Sequence, residues 1–183
     1  MCKTNALQPC ILSLEEISDY HTTMVKSFTL YYSDINPNSD QLFFGYSQRE
    51  VDTLLTKSIS ELNHNTSLSL LAMLEAIFQT DSERRVKKRL KDVVSKSIRH
   101  KKRMLSSGAS NKRMSFEKDI LRSWVAGEPR HKKIITEVMG TLKYRHWLAH
   151  GRYWCAKLGK KYDYETLYEI TSRAINTLDL RTH

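Results

Sequence analysis

Tyr144-Arg145-His146-Trp147-Leu148-Ala149-His150-Gly151-Arg152-Tyr153-Trp154 places two histidines, two arginines and four aromatics in eleven residues. What precedes it decides the fold. Ile134, Ile135, Val138, Met139 and Leu142 recur at three- and four-residue steps, the pattern of a helix with one buried face. The eleven residues sit where that helix runs out, and Gly151 is placed to end it, since glycine adopts the left-handed conformation cheaply. On a continuing helix, His146 and His150 share a face while Arg145 stands roughly 140° from His150. Arg145 and His150 therefore converge on one ligand only if the helix stops near His150.

Outward from this stretch the chain reads as helices throughout. Ser13-Leu14-Glu15-Glu16 and Ser47-Gln48-Arg49-Glu50 have the form of capping boxes. The first opens an amphipathic helix to about Tyr32, with Leu14, Ile17, His21, Met24, Val25 and Phe28 on one face. The second opens a helix with Val51, Leu54, Leu55 and Leu62 inward; the polar run Asn63-His64-Asn65-Thr66 either breaks it or lies on its exposed face. Leu68 to Phe78 is apolar nearly all round, as in a helix buried on most sides. Glu75 stands within it, and a buried carboxylate needs a partner: an arginine, or a role in the site. Phe116, Ile120, Leu121, Trp124 and Val125 mark a short helix stopped at Gly127, Pro129 starts the next, and Asp163 caps a last one facing inward through Leu167, Ile170, Ala174, Ile175 and Leu178. Residues 1–10 read as a loose leader and 33–46 and 106–114 as loops in a single 183-residue domain.

Charge is concentrated. The chain carries a net +10, and between Arg84 and Arg103 eleven Lys or Arg face one acid, Asp92, while the other nineteen basic and nineteen acidic residues cancel. Val86, Leu90, Val93, Val94 and Ile98 suggest one basic helix across the segment. Its bland reading is a solvated face; its one-sided charge suits a polyanion. No apolar run approaches the roughly 20 residues of a bilayer span, and no secretory leader is legible. Cys2, Cys10 and Cys155 are odd in number and lack metal-ligand spacing, which fits reduced thiols in a cytoplasmic protein.

An arginine and a histidine brought together suit phosphodiester cleavage. Imidazole moves protons near neutral pH, and guanidinium offers a planar fork to charge building on phosphate oxygens. The alternatives are a surface arginine with His150 as a helix-end cap, or His146 and His150 as metal ligands. The latter pair has no Glu between them and no third ligand nearby.

Tyr144–Gly151 resembles the R-x4-6-H motif of the HEPN superfamily, in its arginine-polar-x-x-alanine-histidine form. The resemblance extends to Leu71-Ala72-Met73-Leu74-Glu75-Ala76 upstream and to Gly151-Arg152-Tyr153-Trp154 and Leu158–Asp163 downstream, covering roughly residues 67–180. It departs at Gln79, where relatives tend to carry a basic residue. The resemblance implies an all-α HEPN-like bundle, with a core at about 47–180 and the motif at the C-terminal end of a core helix. It also implies a homodimer with a composite cleft and metal-independent endoribonuclease activity of a toxin or antiviral-defence type, without cofactor. His150 would be the catalytic histidine, Arg145 the phosphate-positioning group and His146 their polar support. Some relatives only bind RNA or protein, and many toxins of this kind have a cognate antitoxin.

Around that site, Arg152, Tyr153, Trp154, Lys157, Lys160 and Lys161 are candidate RNA contacts, the aromatics by stacking on unpaired bases. Arg84, Lys88, Lys91, Arg99 and Lys102 are candidates for phosphate attraction, and Glu75 for support. DNA binding by the basic helix is disfavoured by the lack of helix-turn-helix spacing, and a membrane-surface role by the lack of Trp or Phe on its apolar face.

Overall fold

Both capping boxes form. Ser13 Oγ accepts the Glu16 amide at 3.1 Å and Glu16 accepts the Ser13 amide at 2.6 Å, opening α1 (Leu14–Tyr31). The computed structural model describes residues 11–107, 114–155 and 157–181. Cys2, Cys10, the expected leader and most of the expected 106–114 loop lie outside them. The expected 33–46 loop contains a single helical turn, α2 (Ser39–Leu42).

From Ser47 a single helix, α3 (Gln48–Lys87), runs 40 residues, about 60 Å at 1.5 Å per residue. Asn63–Thr66 neither breaks it nor forms a free face. The Asn63 carboxamide oxygen lies 2.8 Å from His21 Nε2 on α1, and Thr66 is buried, its hydroxyl donating to the Leu62 carbonyl at 2.8 Å. His21 in turn stacks on Tyr164 with 3.6 Å between centroids, so α1 is fastened by polar as well as apolar contacts.

The basic segment is not one helix. α3 stops at Lys87, Arg89 takes a left-handed φ of +49°, and α4 (Val93–Ser106) starts anew behind the N-cap Asp92. The Arg89 amide bonds the Val86 carbonyl and the Leu90 amide the Arg85 carbonyl, a Schellman ending with arginine where glycine is usual. The turn replaces the expected stripe: Val94 and Ile98 are buried but Val93 is exposed. It also folds Arg85 inward. Its side chain is 2% exposed, with Nε donating to both oxygens of Asp81 at 2.8 Å and Nη1 to Asp92 at 2.9 Å and Ser95 at 3.2 Å. Nη2 donates to the Asp179 carbonyl, and the guanidinium lies over Trp124 at 4.9 Å. Burial pushes the Asp92 carboxyl up, but the Ser95 hydroxyl and amide together with Arg85 outweigh it and hold the group below the usual carboxylate range.

A π-helical turn, Phe116–Leu121, runs into α5 (Arg122–Gly127). Gly127 is needed for contact rather than as a left-handed stop: a Cβ there would lie 2.7 Å from Val94 Cα. A 3-10 turn at Pro129–His131 leads into α6 (Lys132–Ala149), and Asp163 caps α7 (Tyr164–Thr177), accepting the Thr166 amide at 3.0 Å. The described residues are helical, with no strand. Phe78, Ile98, Ile120, Trp124, Ile135, Val138 and Ala174 form one apolar cluster; Ile17, Leu70, Leu71, Tyr144 and Leu167 form a second around the middle of α3. Among the described residues, no helix is long and apolar enough to cross a membrane.

Candidate functional site

The last turns of α6 carry the candidate residues. The helix ends where the spacing argument requires: His150 is its C-cap, Gly151 takes φ +78°, and the Arg152 amide reaches back to the Trp147 carbonyl at 3.2 Å. With the chain turned there, the His150 ring packs on His146 with 4.2 Å between centroids at an interplanar angle of 52°. Both imidazoles are exposed. Trp154 closes on His146 from the following loop at 5.8 Å, and Trp147 Nε1 donates to the Trp154 carbonyl at 2.7 Å, which pins that loop to α6.

Arg145 points the other way, toward α3. Its Nη2 meets Glu75 Oε2 at 2.7 Å, with both side chains half-buried. Of the two roles left open for Glu75, pairing with an arginine is realised, and the arginine is the motif's own. Arg145 Nε is buried with no hydrogen-bond partner among the described residues. Beside this pair lies a cleft of about 590 Å³. One wall is the α6 face Met139, Leu142, Lys143, Arg145 and His146, another is Glu75, a third is Ser115 to Glu117, and Trp154, Lys157 and Leu158 complete it. Lys143 was not singled out from the sequence, although its three-residue step to His146 puts it on that face. His150 stands at the end of the helix and is not part of the cleft lining.

The other candidates disperse. Arg152 has a structural job: it reaches α3, where its guanidinium contacts Glu61 at 2.8 and 2.9 Å and His64 Nδ1 at 2.6 Å. The hydrogen bond from Arg152 holds Glu61 below the usual carboxylate range, while burial and then the Arg152 charge depress His64. Tyr153 is exposed and edge-on to Trp154 at 4.6 Å. Lys160 lies over the Tyr162 ring at 5.8 Å, and Lys161 is exposed. Arg84 is half-buried, Lys88 and Lys91 are exposed at the turn after α3, and Arg99 and Lys102 line a separate basic hollow. Among the described residues no three His, Cys, Asp or Glu side chains converge as a metal-binding group.

No family model, curated protein or solved structure matches this chain.

The end of α6 thus carries two arrangements: Arg145, Glu75 and His146 on a cleft with three cations (Lys143, Arg145, Lys157) and two carboxylates (Glu75, Glu117), and His150 packed on His146 outside that lining, so Arg145 and His150 do not meet directly within one chain. Chemically this is an anchored guanidinium, two exposed imidazoles and an indole, suited to a singly charged diester with an aromatic base beside it.

Proposed function

We propose that the protein is a metal-independent endoribonuclease of the HEPN type, acting as a homodimer that brings two copies of the α6 terminus to one RNA strand. The observation that carries this reading is the termination of α6 at His150, which sets its imidazole on His146 one turn beyond an Arg145 anchored to Glu75. His150 takes the proton from a ribose 2′-hydroxyl, whose oxygen attacks the adjacent phosphorus. The P–O2′ bond forms and the P–O5′ bond breaks. The electron pair leaves on the 5′-oxygen, which is protonated by a second imidazole or by solvent. The products are a 2′,3′-cyclic phosphate and a 5′-hydroxyl. Arg145 offers its guanidinium to the phosphate oxygens as charge builds on them, the role for which planar donors suit. Glu75 holds it in place, and His146 supports the His150 ring.

The test is cleavage of tRNA, rRNA and mRNA in EDTA by wild type, Arg145→Ala and His150→Ala, with end-group analysis. The expected result is cyclic-phosphate ends from wild type and loss of at least about a hundredfold in rate for His150→Ala, the scale of a general base. Undiminished cleavage in both variants overturns the mechanism. RNA binding that survives His150→Ala without any cyclic-phosphate product from wild type would identify a binding module instead. Growth arrest on induction, relieved by His150→Ala, is the cellular counterpart expected of a toxin or defence effector.

A further inference from the structure

The turn that splits the basic segment builds a second site. Between the end of α3 and the outer face of α4 lies an open hollow of about 690 Å³, whose lining includes Lys87, Arg89, Lys96, Arg99, Lys102 and Arg103. No carboxylate lines it, and among the described residues none of the six forms an ion pair. Of the nearby acids, Asp92 is engaged by Arg85 and Ser95 and Asp119 by Lys101 at 3.3 Å, while exposed Glu83, one turn before Lys87, is not part of the lining. Two features make this a shaped surface rather than a bristle of charge. Arg89 is set by the left-handed turn at the end of α3, and one nitrogen of Arg99 donates to the Leu90 carbonyl of that turn. Lys96, Arg99 and Arg103 then follow at helical steps, and with Ser106 they extend the face about 15 Å along α4.

What would occupy it follows from what lines it. Uncompensated cations spread over such a length match a row of phosphates, not one compact anion. Among the described residues, no aromatic side chain other than the His100 imidazole lines the hollow and Val86 is its only large apolar group, so they give an unpaired base little to stack on. The motif cleft, by contrast, carries Trp154 and Phe116. Single-stranded RNA is held by stacking platforms, whereas RNA duplex is recognised by its backbone and shape. The twelve steps along α3 from Glu75 to Lys87 span about 18 Å, less than one duplex turn. We infer that this hollow seats the phosphate backbone of a base-paired stem, while the unpaired segment of the same RNA enters the cleft at Arg145. The substrate class is a folded RNA with a single-stranded region flanked by a helix. This rests on the ribonuclease reading of the α6 terminus.

The experiment measures binding apart from chemistry. Lys87→Gln/Lys96→Gln/Arg103→Gln changes only exposed tips and is compared with wild type, both carrying His150→Ala so that the probes stay intact. The probes are an RNA duplex of about 16 base pairs, the span of a typical duplex-binding module, an unstructured RNA of equal length, and the DNA duplex of the same sequence. Titrations are made at several salt concentrations. The triple variant is expected to bind the RNA duplex at least about tenfold more weakly near 0.1 M salt, with the salt slope lowered by about 2 to 3 for three lost phosphate contacts. Its single-strand affinity is expected to change less than about threefold, since stacking at the motif cleft is untouched. Equal losses on duplex and single strand, no loss on duplex, or equal affinity for the DNA duplex would each overturn the inference. If the triple variant melts early, the exposed pair Lys96→Gln/Lys102→Gln on one helix replaces it, with the same selective loss on duplex expected and the same outcomes overturning the inference. Cleavage unaffected by Arg145→Ala and His150→Ala, with stem binding still lost in the triple variant, removes the nuclease reading and leaves the stem site standing. Cleavage abolished by those two changes, with stem binding untouched in the triple variant, does the reverse.

Discussion

Removing Arg85 should unfasten the far end of the bundle. Its guanidinium joins Asp81 on α3, Asp92 and Ser95 at the start of α4, Trp124 on α5 and the Asp179 carbonyl after α7. With Asp81 0% exposed, Arg85→Met leaves a buried carboxylate whose remaining donor among the described residues is the Arg181 amide at 2.8 Å. Breaking one side of such a pair costs about 3–5 kcal/mol. For a domain of this size that corresponds to a fall in Tm of about 6–20 °C. The assay is urea and thermal unfolding of wild type, Arg85→Met, Asp81→Leu and the double variant. The double is expected to be less destabilised than the two singles combined, with a coupling of at least about 2 kcal/mol, because no fully buried charge is left alone in it; Asp92, partly exposed, keeps Ser95. Arg85→Met within about 1 kcal/mol of wild type, or singles that simply add, would refute the argument that this arginine is a structural clasp.

Three further outcomes follow from other contacts. Glu75→Gln keeps the size of the Arg145 tether but removes its charge, a loss of about 1 kcal/mol; single-turnover cleavage should slow roughly fivefold with little change in RNA affinity, and an unchanged rate would mean that Arg145 is held by something else. Gly127→Ala drives a Cβ against the α4 backbone and should destabilise by about 1–3 kcal/mol. Gly140→Ala meets only the movable hydroxyl of Tyr162 and should be neutral or better by denaturant midpoint. The Arg152–Glu61–His64 contact makes stability acid-sensitive. Both titrating groups have depressed folded-state values, so both bind protons more readily when unfolded. Their contribution is complete above about pH 6.5, declines below it as His64 titrates, and falls further below about 4.5 as Glu61 does. Arg152→Ala should flatten that decline in a pH series of unfolding midpoints, and an identical slope would count against the contact.

The helical class, both capping boxes and the end of α6 were legible because each is written locally, in periodicity and cap chemistry. Glu75 was legible as a carboxylate in need of a partner, but not that its partner would be the motif arginine, since that pairing joins residues seventy apart. The basic segment misled for a related reason. Val86, Leu90, Val94 and Ile98 keep helical spacing through the break, and the left-handed turn falls on an arginine, with no glycine or proline to announce it. Arg85 looked like one more surface cation because nothing in its neighbours signals Asp81 and Asp92 converging on it. Arg152, read as a contact for RNA, is committed to α3 through Glu61 and through His64 of the polar run whose role the sequence left open.

Because α3 has no break, it works as a ruler. His21's partner Asn63, Arg145's partner Glu75 and Arg85's partner Asp81 are graduations on one rod, and their separations are fixed by count, not by loop flexibility. A single residue inserted between Glu75 and Asp81 would advance everything beyond it by about 1.5 Å and turn it by about 100°. Either the motif end or the basic end would lose its alignment. Seven residues, close to two whole turns, would restore the facing but lengthen the span by about 10 Å. The distance between the cleft and the hollow is therefore available only in coarse steps, and it can be reset by a heptad, not by a residue.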